Sequence, residues 1–419
     1  MRTRPPWILI AAFTLLLGTP AVGGGEEPAA SQPVTLEERD AAIAKGVRYL
    51  EREVFKLREA AGTPRKQFTV AVTGLVALLA GDGTTTTARR AGPLVDKARR
   101  YLDRYVAEVR KATADPAFLA ETSGSSAGAR LMQTTWPTGM AGLFFGEMHA
   151  RGIHEADAAR TLRTIVDVLE AAQAPNGGWG HAQVRGRGRP RGPNEMDGFG
   201  SYPDTLLAST NLVAASLTLV RPIAPPVQEE LFNRALAYYE YAELANGSFP
   251  YDPSQRAAHM DMTGVSRAAG AVFAMRLLGA AWDDIGVSRA LELVDEHFEY
   301  LPEGHGSSTL NLMLAAFLQR LRGPRAWARF KETFFRRILD GQESNGSFLC
   351  ICENKAFGST NDSRPFGGKA RGDSAFFANR TDTYVSAMHT LILLLDRTSM
   401  RLVPEPPVEP TEEGPVTPR

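Results

Sequence analysis

The chain has 419 residues with 47 basic and 47 acidic side chains, so it carries no formal net charge and implies no general attraction to nucleic acid or to an anionic membrane surface. Two cysteines in such a length exclude a disulfide-stapled scaffold. Between the first 35 residues and a polar tail lie roughly 370 residues, enough to bury one large core.

The N-terminus reads Met1-Arg2-Thr3-Arg4, an apolar run from Trp7 to Leu17, and a small-residue stretch through Gly23, the three regions of a secretory signal peptide over residues 1–23. The run is too short for the roughly 20 residues of a membrane span, so no membrane span is expected and the mature chain is placed in the periplasm or outside the cell. Residues 24–35 are small, acidic and Pro-containing and read as a flexible linker; the tail 403–419 reads as disordered.

From residue 36 to 402 two kinds of helical segment alternate. Six are rich in Ala, Gly, Ser, Thr and Leu and almost uncharged: Phe68–Ala80, Pro137–Ala150, Asp204–Val220, Asp261–Leu278, Ser307–Leu321 and Thr381–Asp396. Six others are amphipathic with a charged face: Leu36–Ala60, Pro93–Lys111, Glu155–Gln173, Val227–Ala245, Gly286–Phe298 and Pro324–Gln342. The uncharged set must be buried on all sides and the amphipathic set on one. An all-α fold, an (α/α)6 toroid of alternating inner and outer helices, satisfies both, with a linear solenoid as the rival. Long linkers precede the inner helices at 112–136, 181–203 and 343–380, so functional groups are expected at the rim where inner helices begin. The helix N-termini there would favour an anionic group.

Near-copies of one turn join outer to inner segments: Gln173-Ala-Pro-Asn176-Gly177-Gly178-Trp179, Asn246-Gly247-Ser248-Phe249 and Gln342-Glu-Ser-Asn345-Gly346-Ser347-Phe348. Asn-Gly permits a left-handed reversal and the ring anchors it. This turn, followed by an Ala- and Leu-rich helix, resembles the repeat of the terpenoid cyclase and protein prenyltransferase superfamily, over most of residues 40–396. The resemblance implies the toroid and an apolar or isoprenoid-like ligand in its central cavity. It does not carry over the family's chemistry. The cyclases' D-x-D-D acid and the D-D-x-x-D motif have no counterpart, and Asp283-Asp284 is expected to cap the outer helix that follows. The prenyltransferase zinc positions fall on Ser307-Ser308-Thr309 and Val385, so neither a metal nor another cofactor is expected.

Candidate catalytic residues are Asp204, Asp261 and Asp382 at inner-helix starts, with His305 in a Gly-rich turn; a cap is the competing role for each Asp. Candidate ligand-binding residues are Trp136, Tyr202, Tyr251, Tyr384 and Arg380. Arg185, Arg187, Arg189 and Arg191 lie in a Gly- and Pro-rich stretch read as a solvated insertion. Cys350 and Cys352 are expected as unpaired or transiently paired thiols. Two further functions stay open: a non-catalytic scaffold for a protein partner, and a glycoside hydrolase or polysaccharide lyase with paired rim carboxylates.

Overall fold

A computed structural model of the chain describes residues 32–57, 65–82, 85–115, 134–180, 205–223, 229–253, 263–303, 308–351, 383–398 and 400–403. The expected signal peptide, most of the linker and the tail beyond Val403 lie outside them. Two compact units divide at Pro33, and the second, Val34–Arg419, holds all the described helices. Among the described residues these are twelve α-helices, and none is long and apolar enough to cross a membrane.

Six helices form an inner ring: α2 (Arg65–Gly81), α4 (Thr135–Ala150), α6 (Leu207–Val220), α8 (Thr263–Leu278), α10 (Ser308–Leu321) and α12 (Thr383–Leu394). Each packs on the next and α12 packs on α2, so the ring is closed. Its members are buried all round: the described side chains of α4 and α6 are almost wholly excluded from solvent. Glycines set how closely the ring draws in. A Cβ on Gly142 would fall 1.8 Å from Ser216 Oγ, and one on Gly74 would meet the Phe144 ring at 2.6 Å, so neighbouring backbones approach as no larger residue would allow.

The outer layer consists of α1 (Leu36–Glu53), α3 (Thr85–Ala114), α5 (Glu155–Ala172), α7 (Glu229–Ala242), α9 (Ile285–Glu296) and α11 (Pro324–Asp340). Each lays its apolar stripe on the inner ring, as α11 does with Trp327, Phe330, Phe334 and Ile338. Helix α1 starts on a full capping box between Thr35 and Glu38. Two expected helix starts are corrected. Helix α3 begins at Thr85, with Pro93 inside it, because the Thr- and Arg-containing segment ahead of the proline is itself helical. Asp284 does occupy the N-cap of α9, yet its carboxylate turns back to accept from the Ala281 amide at 2.6 Å instead of capping the helix.

The Asn-Gly turns are the clasps of the ring. In each, the Asn side chain accepts from the amide two residues on, at 3.2 Å for Asn176, 3.1 Å for Asn246 and 2.8 Å for Asn345. Gly177, Gly247 and Gly346 have φ of 86°, 79° and 96°. A Cβ at these three would strike the carbonyl oxygens of Arg234, Arg289 and Lys45 at 1.9, 2.5 and 2.4 Å. Glycine is therefore required twice over, by the left-handed backbone and by the next outer helix pressed against it. The Gln173 side-chain amide donates to the Leu231 carbonyl at 3.1 Å, and that of Gln342 to the Ala42 carbonyl at 2.9 Å. Trp179 is fully buried, its indole N–H donating to the Leu169 carbonyl at 2.8 Å. Cys350, just past the third turn, is disulfide-bonded, where unpaired or transiently paired thiols were expected; Cys352 lies outside the described residues.

Candidate functional site

The inner helices run parallel. Gly139, Gly142 and Gly146 of α4 meet Leu212, Ser216 and Leu219 of α6 in order, and Phe68 of α2 meets Tyr384 of α12, ring centroids 5.4 Å apart. All six N-termini thus share one rim. These contacts also fix which arc of each helix faces inward, given about 100° per residue. In α4 the glycines face α6 and Phe144 faces α2, leaving the stripe Trp136, Met140, Leu143 and Glu147 for the bore. In α12, Tyr384 faces α2 while Ser386 and Thr390 face the third turn and α1, leaving Val385, Met388 and Ile392. By the same reasoning Ala71 and Leu78 of α2 and Ala208 and Ala215 of α6 belong to this inward arc, while Gly270 of α8 lies between Asn211 of α6 and Leu314 of α10.

The side chains of this arc are apolar: Met140, Leu143, Ala215, Met388 and Ile392 are fully buried. The six inner helices together contain a single carboxylate, Glu147, at the end of α4 away from the rim. It too is buried, and that burial pushes its carboxyl above the ordinary range, against the opposing pull of the Leu402 and Arg401 amides and of Arg151.

Of the expected ligand-binding residues, Trp136 stands in the first turn of α4, buried on the bore stripe, and Tyr384 in the first turn of α12, turned to Phe68 at the seam. Tyr251 is half-buried, and its backbone carbonyl accepts from the Leu207 amide, tying the segment after the second turn to the start of α6. Asp204, Asp261, Asp382, His305, Tyr202 and Arg380, with the Arg-rich insertion, lie outside the described residues. The N-cap of α6 is Leu206, in extended conformation, so the helix starts later than the expected Asp204.

Other polar groups were not anticipated. Gln67 in the first turns of α2, Arg267 of α8, and Asp252 and Glu303 in the segments leading to α8 and α10 are all buried. Arg267 Nε donates to the Phe249 carbonyl at 2.9 Å. A charged residue inside a small-residue, nearly uncharged helix was the available signal for Arg267 and for Glu147. His389 of α12 is fully buried beside the Phe348 ring, and burial pushes its imidazole down to about 3, so it is a neutral packing group. Among the described residues no His, Cys, Asp or Glu side chains gather in threes that could hold a metal ion.

No known protein family and no curated protein matches the chain. Solved structures do. A type II terpene cyclase, MstE from Scytonema, aligns over 86% of this chain and 99% of its own at 14% identity with a TM-score of 0.50. A glycosidase aligns over 87% of this chain and 98% of its own at 12% identity with a TM-score of 0.51, and a single-residue variant of it with glucose bound gives 0.50. At such identities the likeness is one of fold: the chain has the terpenoid-cyclase-like α/α toroid, an architecture on which both a cyclase and a glycosidase are built.

Proposed function

We propose that the protein is an exported toroid that binds an apolar, isoprenoid-like molecule in its bore, admitted from the rim where the inner helices begin. The observation that carries this reading is the wall itself, whose six helices offer one carboxylate and no other acid to a guest. A sugar needs a polar cleft with paired acids. A hydrocarbon needs only dry surface that can adapt to it. Methionine gives that adaptability: Met140 and Met388, from two helices, have flexible unbranched side chains that repack around an inserted group.

The test is a thermal-shift and fluorescence titration of the purified protein with geranylgeraniol and, in parallel, with a glucose oligosaccharide. Saturable stabilisation by the alcohol alone is the expected result. Stabilisation by the oligosaccharide alone would replace this reading with the glycosidase one, for which the buried Asp252 and Glu303 at the rim are the described acids. Response to neither ligand would leave the scaffold.

A further inference from the structure

After α12 the chain does not leave the fold. Residues 395–398 turn beneath the helix, with Thr398 Oγ1 donating to the Leu394 carbonyl, and residues 400–403 continue to the end of α4, although α2 lies between α12 and α4 in the ring. Met400, Leu402 and Val403 are buried to within a few per cent. The Leu402 amide donates to Glu147 Oε1 at 3.1 Å, and Arg151 Nε lies 3.5 Å from Glu147 Oε2 while its Nη1 pairs with Asp82 at 2.6 Å. Glu147 is the last residue of the α4 bore stripe, and a carboxylate buried in an apolar wall is costly unless something donates to it. Here the donors are Arg151 and the backbone of the chain's own C-terminal segment.

We infer that this segment is a strap closing the bore at the end opposite the rim, and that Glu147 is its latch. The latch rests on the contacts above; the gating of a guest rests on the proposed apolar bore. Three apolar side chains give the strap its adhesion, and charge-assisted hydrogen bonds from the Leu402 and Arg401 amides fix where it sits. A guest then has a single way in, and opening the latch creates a second.

Backbone amide exchange of the full chain, followed by mass spectrometry with residue-level fragmentation, tests the latch without any guest. In Glu147→Ala, exchange at Arg401 to Val403 is expected to quicken about 10- to 100-fold, the factor set by losing a hydrogen bond to a charged group, with the inner helices unchanged. Unchanged exchange there overturns the latch. Should Glu147→Ala fail to fold, Glu147→Met gives the same comparison, since it keeps about the same side-chain length and removes both acceptor oxygens. The rate of uptake of the neutral apolar dye Nile red then tests the gate, and should rise by a similar factor in the variant. Faster exchange with unaltered uptake overturns the gate. Failure of both proteins to bind the dye at equilibrium counts against the apolar bore itself, and the exchange result still decides the latch.

Discussion

The side-chain amide of Gln342 donates to the carbonyl oxygen of Ala42, 300 residues earlier, at 2.9 Å. The same outer-turn contact that Gln173 makes with α7 is here made by the last turn with the first helix. Closure of the outer layer is therefore a repeat of the internal joint. At this seam Gly346→Ala should destabilise the protein by roughly 2–4 kcal/mol, the sum of a left-handed backbone penalty and a clash with a carbonyl that belongs to another helix. Urea denaturation of Gly177→Ala, Gly247→Ala and Gly346→Ala checks this. A loss under half a kcal/mol at all three would contradict the clasp.

Glu243 stands where the other two turns have Gln173 and Gln342, three residues before the Asn. Where glutamine donates to a carbonyl of the next outer helix, Glu243 brings a carboxylate over the same place: a Cβ on Gly286 would lie 2.7 Å from its Oε2, and the Arg289 guanidinium is 3.6 Å from its Oε1. Burial raises its carboxyl above the ordinary range. A raised acid binds its proton more tightly in the folded state, so it weakens the fold above the folded pKa and the penalty fades as pH falls towards the unfolded value. Glu243→Gln should stabilise by about 1 kcal/mol at pH 8 and by less at pH 4.5. Melting curves at the two pH values decide; a destabilised variant at pH 8 would refute the assignment.

Asp396 behaves in the opposite sense. It accepts from Trp327 Nε1 and Lys331 Nζ, both at 2.9 Å, and pairs with the buried Arg39 of α1. Although burial alone would raise it, these partners together hold its carboxyl below the ordinary range. The stability it confers is complete above the unfolded pKa and is lost as pH falls through the folded one. Asp396→Asn should cost roughly 2–3 kcal/mol at neutral pH, since Arg39 is left buried beside a neutral amide. The difference between variant and parent should shrink below about pH 4, where the parent's carboxylate also protonates. A pH-independent difference would argue against the ion pairs as its origin.

Trp179 fills the position that the other two turns give to Phe249 and Phe348. Trp179→Phe should therefore fold, with a loss of about 1–2 kcal/mol from the Leu169 carbonyl left without its donor and from the smaller ring. Trp179→Ala should lose about 3–5 kcal/mol. Thermal unfolding of the pair checks whether ring shape or the indole N–H matters more.

Much of the architecture was legible because it is written in short-range pattern. The uncharged runs of α4 and α6 can be nothing but buried, and Asn-Gly followed by an aromatic is a local instruction. Glu243 was legible too, by its offset from Asn246, once the turns are aligned on their Asn. The strap was not. Glu147 and Leu402 are 255 residues apart, and Leu402 sits where composition turns Pro- and Glu-rich, so the boundary between core and tail was placed without the burial of Val403. Pro93 misled for a different reason: proline is common at a helix start, yet it is tolerated inside α3, whose 30 residues supply enough other hydrogen bonds. The carboxylates expected at the rim, Asp204, Asp261 and Asp382, lie outside the described residues.

Gln342 on Ala42 and Asp396 on Arg39 have one more implication. A linear array can lose its last unit and survive shorter; here the first and last elements are each other's neighbours, and removing either leaves an unsealed gap lined by apolar faces. The nascent chain must therefore wait for its C-terminal helix before its N-terminal helix has a final resting place, which makes ring formation late and all-or-none. By the same token the present ends hold no privileged position: new termini opened in the 83–84 connection, with the old ones joined by a linker, should give a chain that reaches the same ring by a different order of assembly.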